Sequence, residues 1–111
     1  MGVTRSDLFT VEQNRIAGFA KVFAHPARVA IIQYLLKSET CCNHNLVGEL
    51  GLAQATISQH LREMKNIGII QGTIEGVSVN YCINPDKWLE IKGVFSQLFE
   101  AFEWPECETK C

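Results

Sequence analysis

Two cysteines stand side by side at positions 41 and 42, and in a chain of 111 residues they are the side chains hardest to explain as packing. They come just ahead of residues 46–70, a stretch that reads as a helix-turn-helix unit. Three more cysteines, Cys82, Cys107 and Cys111, bring the total to five. An odd number in a chain without secretory character disfavours a disulfide framework and favours thiol chemistry proper: binding of a metal or metalloid, or redox sensing. Thiolates are soft ligands and good nucleophiles, and the positive end of a following helix favours the ionised forms of Cys41 and Cys42. Cys82 falls in a run with Ser78 and Asn80, where the plain expectation is a small surface or packing residue.

A second set of residues can read nucleic acid. Within residues 53–66, Ile57, Leu61 and Met64 recur at helical spacing, and Gln54, Thr56, Ser58, Gln59, Arg62 and Lys65 spread over the remaining arc. Gln can bond adenine through two hydrogen bonds, Ser and Thr bond bases or phosphates, and Arg and Lys neutralise backbone charge. His60 projects beside the apolar residues, so it is expected to pack and hydrogen-bond rather than to touch DNA.

The elements that must position these residues are legible in outline. Leu8, Glu12, Ile16, Phe19, Ala20 and Phe23 share one side of a helix over residues 6–24. Pro26 suits the first turn of a second helix, in which Val29, Ile32, Leu35 and Leu36 recur before polar residues 37–40 deliver the cysteine pair. A short third helix capped by Asn43 or Asn45 turns Leu46, Val47 and Leu50 inward and ends at Gly51. The reading helix follows, and Gly68 closes it. Val77, Val79, Tyr81 and Ile83 then alternate with polar positions as in a half-buried strand, with residues 69–74 as its partner and Glu75-Gly76 as the turn. Asn84 and Pro85 open a last helix with Trp88, Ile91, Phe95, Leu98, Phe99 and Phe102 on one wide apolar face. The sum is a mainly α chain with a small β-hairpin (α+β), a winged helix-turn-helix of five helices and a two-stranded wing. Its apolar first and last helices predict the seam of a homodimer, the arrangement by which such readers engage paired half-sites.

Composition bounds the rest. With 47% hydrophobic residues, residues 1–104 make one DNA-binding and dimerisation domain, and residues 105–111 a flexible cysteine-bearing tail. No run approaches the roughly 18 apolar residues of a membrane span and the first residues lack a secretory core, so the expectation is a cytoplasmic protein without membrane attachment. A net charge of −2 means that any basic footprint for DNA must be local. No Ser/His/Asp set, phosphate loop or pocketed carboxylate pair points to an enzyme, and no catalytic residue is assigned.

Residues 24–32, running Ala-His-Pro-Ala-Arg-Val-Ala-Ile-Ile, then residues 50–61, from Leu50-Gly51-Leu52-Ala53-Gln54 to Ser58-Gln59-His60-Leu61, then Gly68-Ile69-Ile70, resemble the ArsR/SmtB family of metal-responsive repressors. The resemblance spans about residues 16–88 and rests on two motifs that are specific together. It implies a winged-helix homodimer that represses an operon until an inducer ion releases it from double-stranded operator DNA. Two departures stand out: Ala53 occupies a position where relatives usually offer a serine cap, and Glu75 is the only charge in a wing where relatives often carry arginine.

The resemblance also implies a sensor. Relatives that respond to arsenic, antimony, cadmium or lead often carry a Cys-x-Cys-x-x-Cys run ahead of the reading helix, and alignment puts Cys42, His44 and Val47 on its three positions. That triad is incomplete, Cys41 partly replaces it, and a third thiol is needed for the trigonal site that As(III) or Sb(III) takes. Cys107 or Cys111 can supply it, because the chain beyond Trp104 reaches roughly 23 Å when extended. Zinc or cadmium fits less well, since adjacent residues make a tetrahedral site awkward. The family's other zinc site, along the last helix, would retain Asp86 but lacks any histidine after His60. Two other readings remain open: a redox or persulfide switch pairing Cys41 or Cys42 with Cys107 or Cys111, and a winged-helix module that binds protein.

Overall fold

A capping box, invisible to the hydrophobic pattern, decides where the first long helix begins. Thr10 Oγ1 accepts from the Gln13 N–H at 3.0 Å, and Gln13 Oε1 accepts from the Thr10 N–H at 3.0 Å. The expected single helix over residues 6–24 is therefore a 3-10 turn at Ser6–Leu8 followed by α1 at Val11–Val22. Leu8 ends up 65% exposed, and the inward face is carried by Phe19 and Val22, with Ile16 and Phe23 packed against it. The computed structural model of the protein describes residues 6–38, 42–43, 46–75 and 78–104.

Pro26 starts α2, Pro26–Leu36, as its fixed φ and missing N–H allow. This helix buries Ile31, Ile32, Leu35 and Arg28, whereas Leu36 faces out. α3, Leu46–Leu50, buries Leu46 but leaves Val47 exposed, against the expectation that both turn inward. Asn43 is not its cap; it lies in a strand, and Asn45 falls outside the described residues. α4, Gln54–Ile67, buries Ile57, Leu61 and Met64 as the spacing requires. It stops at Gly68, whose φ of 102° is left-handed, and the N–H groups of Gly68 and Ile69 both reach the Met64 carbonyl.

The β part is a hairpin with one addition. β2, Ile70–Glu75, pairs antiparallel with β3, Ser78–Ile83, from Ile70 opposite Ile83 to Glu75 opposite Ser78. The turn is thus one residue later than expected, and residues 76–77 lie outside the described set. Gly72 has φ 128°, and a Cβ there would collide with the Asn80 carbonyl, so the strands approach closely at this point. The addition is β1, Cys42–Asn43, which pairs with the other edge of β3 and makes the sheet order β1-β3-β2. No strand is expected from the sequence at residues 42–43, which follow the polar residues 37–40.

Asn84 caps α5, Pro85–Glu100, by accepting from the Asp86 N–H at 3.1 Å and the Lys87 N–H at 3.4 Å. Ile91 and Val94 enter the core, which α1, α2, α4 and the sheet complete through residues such as Val22, Ile31, Leu61, Ile69 and Tyr81. Arg15 of α1 meets Glu90 of α5 at 2.7 Å, and Glu12 and Ile16 share a cleft with Val94, Gln97 and Leu98. The two helices therefore run antiparallel. Burial at the far end is incomplete: Phe99 is 71% exposed, and Leu98, Phe102, Trp104, Phe9 and Val11 are also exposed.

Candidate nucleic-acid interface and thiol sites

α4 sorts its side chains as a reading helix must. Opposite the buried row, Gln54, Thr56, Gln59, Arg62 and Lys65 are exposed, and Ser58 is half-buried. Gln54 Nε2 donates to Ser58 Oγ at 2.9 Å, one turn on, so the first polar side chain of the helix is held along its axis. Ala55 and Asn66 share the exposed arc. Neither was singled out from sequence, because a small apolar residue and a residue near a helix end carry no distinctive pattern. Ala55 offers a methyl that can meet a thymine methyl, and Asn66 an amide.

The charge balance is local, as the net −2 requires. Glu63 is the only acidic residue of α4, and it forms an ion pair with Arg28 of α2. Arg62 and Lys65 stay on the exposed arc with no ion-pair partner seen among the described residues. The helix thus shows cations to solvent while its carboxylate is turned to an internal task.

That task is a hub which sequence reading missed. Arg28, only 7% exposed, donates from Nε to His60 Nδ1 at 3.1 Å and from Nη1 to the Lys21 carbonyl at 3.2 Å, besides pairing with Glu63. One guanidinium therefore fastens the end of α1 and the start of α2 to the middle of α4. The fork of five donors suits Arg, and lysine offers only a point charge. Burial, then the charge of Arg28 and the neighbouring His25, push the His60 pKa below its ordinary value. Its neutral form is the one whose Nδ1 can accept from Arg28. His25 and His60 rings lie 5.6 Å apart. The available signal was Arg28 as the one charged residue of α2, since a charge at a core position demands partners.

At its N-terminus α4 has no side-chain cap, because Ala53 has no acceptor. Side chains at residues 73–79, Glu75 included, lie outside those described.

Of the thiol residues, Cys41, Cys107 and Cys111 lie outside the described residues, as does His44. Cys42 is placed by its backbone, in β1 opposite Tyr81. Among the described residues no group of three His, Cys, Asp or Glu side chains could hold a metal ion. Cys82 contradicts its expected role as a small packing residue: it is half-buried, disulfide-bonded, and its Sγ accepts from Gln71 Nε2 at 3.8 Å. It was passed over because alternation within a strand says nothing about which residue lies across from it. The sequence disfavours a disulfide framework and the open redox reading pairs other cysteines, so a bonded Cys82 is not among its expectations.

Five helices, a β-hairpin and a polar-faced fourth helix define a winged-helix regulator of the helix-turn-helix class. Residues 25–71 match the family described as "Bacterial regulatory protein, arsR family". The uncharacterized HTH-type transcriptional regulator MJ1325 of Methanocaldococcus jannaschii is 32% identical over 84 residues, covering 76% of this chain and 94% of that protein. The cadmium resistance transcriptional regulatory protein CadC of Listeria innocua is 25% identical over 87 residues, covering 78% and 73%. In three dimensions NolR from Sinorhizobium fredii superposes with a TM-score of 0.59 at 24% identity, over 89% of this chain and 96% of that one. The chain belongs to the HTH-type transcriptional regulators, with an arsR-family match over residues 25–71. No described helix is long and apolar enough to cross a membrane.

Proposed function

We propose that the protein is a metalloid-responsive repressor: a homodimer that holds operator DNA through α4 and lets go when As(III) or Sb(III) is captured by Cys41, Cys42 and a tail thiol from Cys107 or Cys111. The observation that carries this reading is the placement of Cys42 in β1. That strand is hydrogen-bonded into β3, β3 into β2, and β2 continues from the end of α4. An ion that draws the cysteine pair together with the tail pulls on a strand continuous with the reading head. The relative named for cadmium resistance supports a thiophilic inducer without choosing the ion.

Dimerisation follows from the exposed aromatic end of the molecule. α1 and α5 run antiparallel, so Phe9 and Val11 fall at the same end as Leu98, Phe99 and Phe102. A patch of this kind is covered by a second copy in a regulator that must span two half-sites.

Operator anisotropy titrated with arsenite tests the sensor, with wild type beside Cys41→Ser, Cys42→Ser, Cys107→Ser and Cys111→Ser. Release by wild type and a shift of about tenfold or more in the Cys41 and Cys42 variants, equivalent to ~1.4 kcal/mol of coupling, is the expected result. Release of those two variants at the wild-type concentration sinks the proposal.

A further inference from the structure

Cys82 is disulfide-bonded, and the strand register beside it favours one cysteine as the partner. In the β1–β3 ladder Asn43 faces Asn80 and Cys42 faces Tyr81, so each step back along β1 is a step forward along β3. Position 41 lies outside the described residues, and extending the register by one step makes it the counterpart expected for Cys82. We propose that Cys41 and Cys82 form a reversible dithiol–disulfide couple that fastens the sensor segment to the wing.

Three observations converge on that pair. Residues directly opposite in an antiparallel ladder have Cα atoms about 4.5–5.5 Å apart, inside the Cα range that a disulfide spans without moving the backbone. Position 42 is one step out of register, opposite the buried Tyr81, while Cys82 follows it in β3 and belongs to the other face of the sheet. Gln71, opposite Cys82 on β2, shares that outer face and donates to its sulfur. The half-buried Cys82 is within reach of a small oxidant.

The couple turns over by exchange with a small-molecule disulfide such as oxidised glutathione. One protein thiolate displaces a glutathione thiolate and forms a mixed disulfide. The second protein thiolate then attacks the protein sulfur of that bond and displaces the other glutathione. Two protein thiols and one glutathione disulfide become one Cys41–Cys82 bond and two glutathione thiols, and excess thiol reverses it. When closed, the bond removes Cys41 from the set of free thiols and pins β1 to β3. The pairing stands without the metalloid reading; its consequence, that oxidation blunts arsenite release, rests on that reading.

The test uses the full chain, equilibrated in glutathione redox buffers and mapped by mass spectrometry of non-reduced digests. The expected cross-linked peptide joins the segment of residues 41–42 to that of Cys82, persists in Cys42→Ser and in Cys107→Ser/Cys111→Ser, and is absent in Cys41→Ser and Cys82→Ser. Cross-linking of Cys82 to Cys42, Cys107 or Cys111, or a Cys82 that stays a thiol even in excess oxidised glutathione, overturns the proposal. Cys82→Ala, checked by circular dichroism, covers the case in which the serine variant misfolds. In the same buffers, oxidised wild type needs at least tenfold more arsenite than reduced wild type to release operator, and Cys82→Ala shows no such dependence on oxidant. If the peptide forms and reduced wild type ignores arsenite, the metalloid reading fails and the couple stands; if arsenite works and the peptide never forms, the reverse holds.

Discussion

α4 and α5 are both amphipathic helices, yet they leave opposite chemistries uncovered. α4 buries its apolar row completely and exposes amides, a hydroxyl and two cations, whereas α5 buries only Ile91 and Val94 and leaves Leu98 and Phe99 in solvent. Water solvates the first face at no cost, so it can wait for DNA. Exposed aromatic surface carries a free-energy penalty on the order of 25 cal/mol per Å², so the second face calls for a protein partner. On the proposed reading, recognition is divided between a polar helix for DNA and an apolar one for a second copy of the chain.

The largest effect is expected where the two functions meet. Phe99→Glu with Phe102→Glu puts carboxylates into the proposed seam, and sedimentation should show monomers. Operator affinity should fall about a hundredfold, ~2.8 kcal/mol, through loss of the second half-site. A double variant that remains dimeric would break the comparison, because α5 would then be uncovered for another reason.

Arg28→Ala comes next. It strips partners from His60, Glu63 and the Lys21 carbonyl at once, and thermal or urea unfolding should report a loss of about 2 kcal/mol, less than for a fully buried pair because the Glu63 side chain is 44% exposed. DNA affinity should fall further than stability alone explains, since α4 loses its brace.

Single substitutions on α4 should be milder and separable. Gln59→Ala is expected to cost about 1–2 kcal/mol on one operator sequence and to relax preference at one base pair. Arg62→Ala should weaken binding to all sequences alike and lower the salt slope by about 1. Equal loss on all sequences in both variants would mean that α4 holds phosphates only. Ala53→Ser should add about 0.5–1 kcal/mol of stability by supplying the missing cap, seen as a raised melting temperature.

The smallest effect is a pH dependence. The folded chain holds His60 below its ordinary pKa of about 6.5, so above that pH both folded and unfolded chains carry it neutral. As pH falls through 6.5 the unfolded chain takes up a proton that the folded one refuses, and stability declines until the folded pKa is passed. Melting temperatures from pH 7.5 to 5 should show this slope, and His60→Gln should flatten it.

Much of this was readable before any coordinates. The caps at Asn84 and Pro85, the stop at Gly68 and the buried row Ile57, Leu61, Met64 all lie within a turn or two of the residues that signal them. The start of α1 was legible too, in the Thr10-x-x-Gln13 box, but the apolar stripe running through Leu8 masked it. What escaped was non-local. Arg28 and His60 are 32 residues apart, and nothing near either announces the other. Cys82 looked inert because strand alternation carries no sign of a disulfide, and β1 beside it is a two-residue strand too short to leave a pattern.

By itself the sequence determined the class of molecule: a reading helix with a polar arc, a hairpin behind it, apolar flanking helices and a thiol pair ahead. Such features depend on the backbone's own period and on caps that act within one turn. Only the tertiary structure decided that Arg28 braces the reading helix, that the end of α5 stays uncovered, and that Cys82 is paired rather than idle. Each of these is a contact between distant segments, set by how the helices and strands pack and by strand register, and no local pattern encodes it.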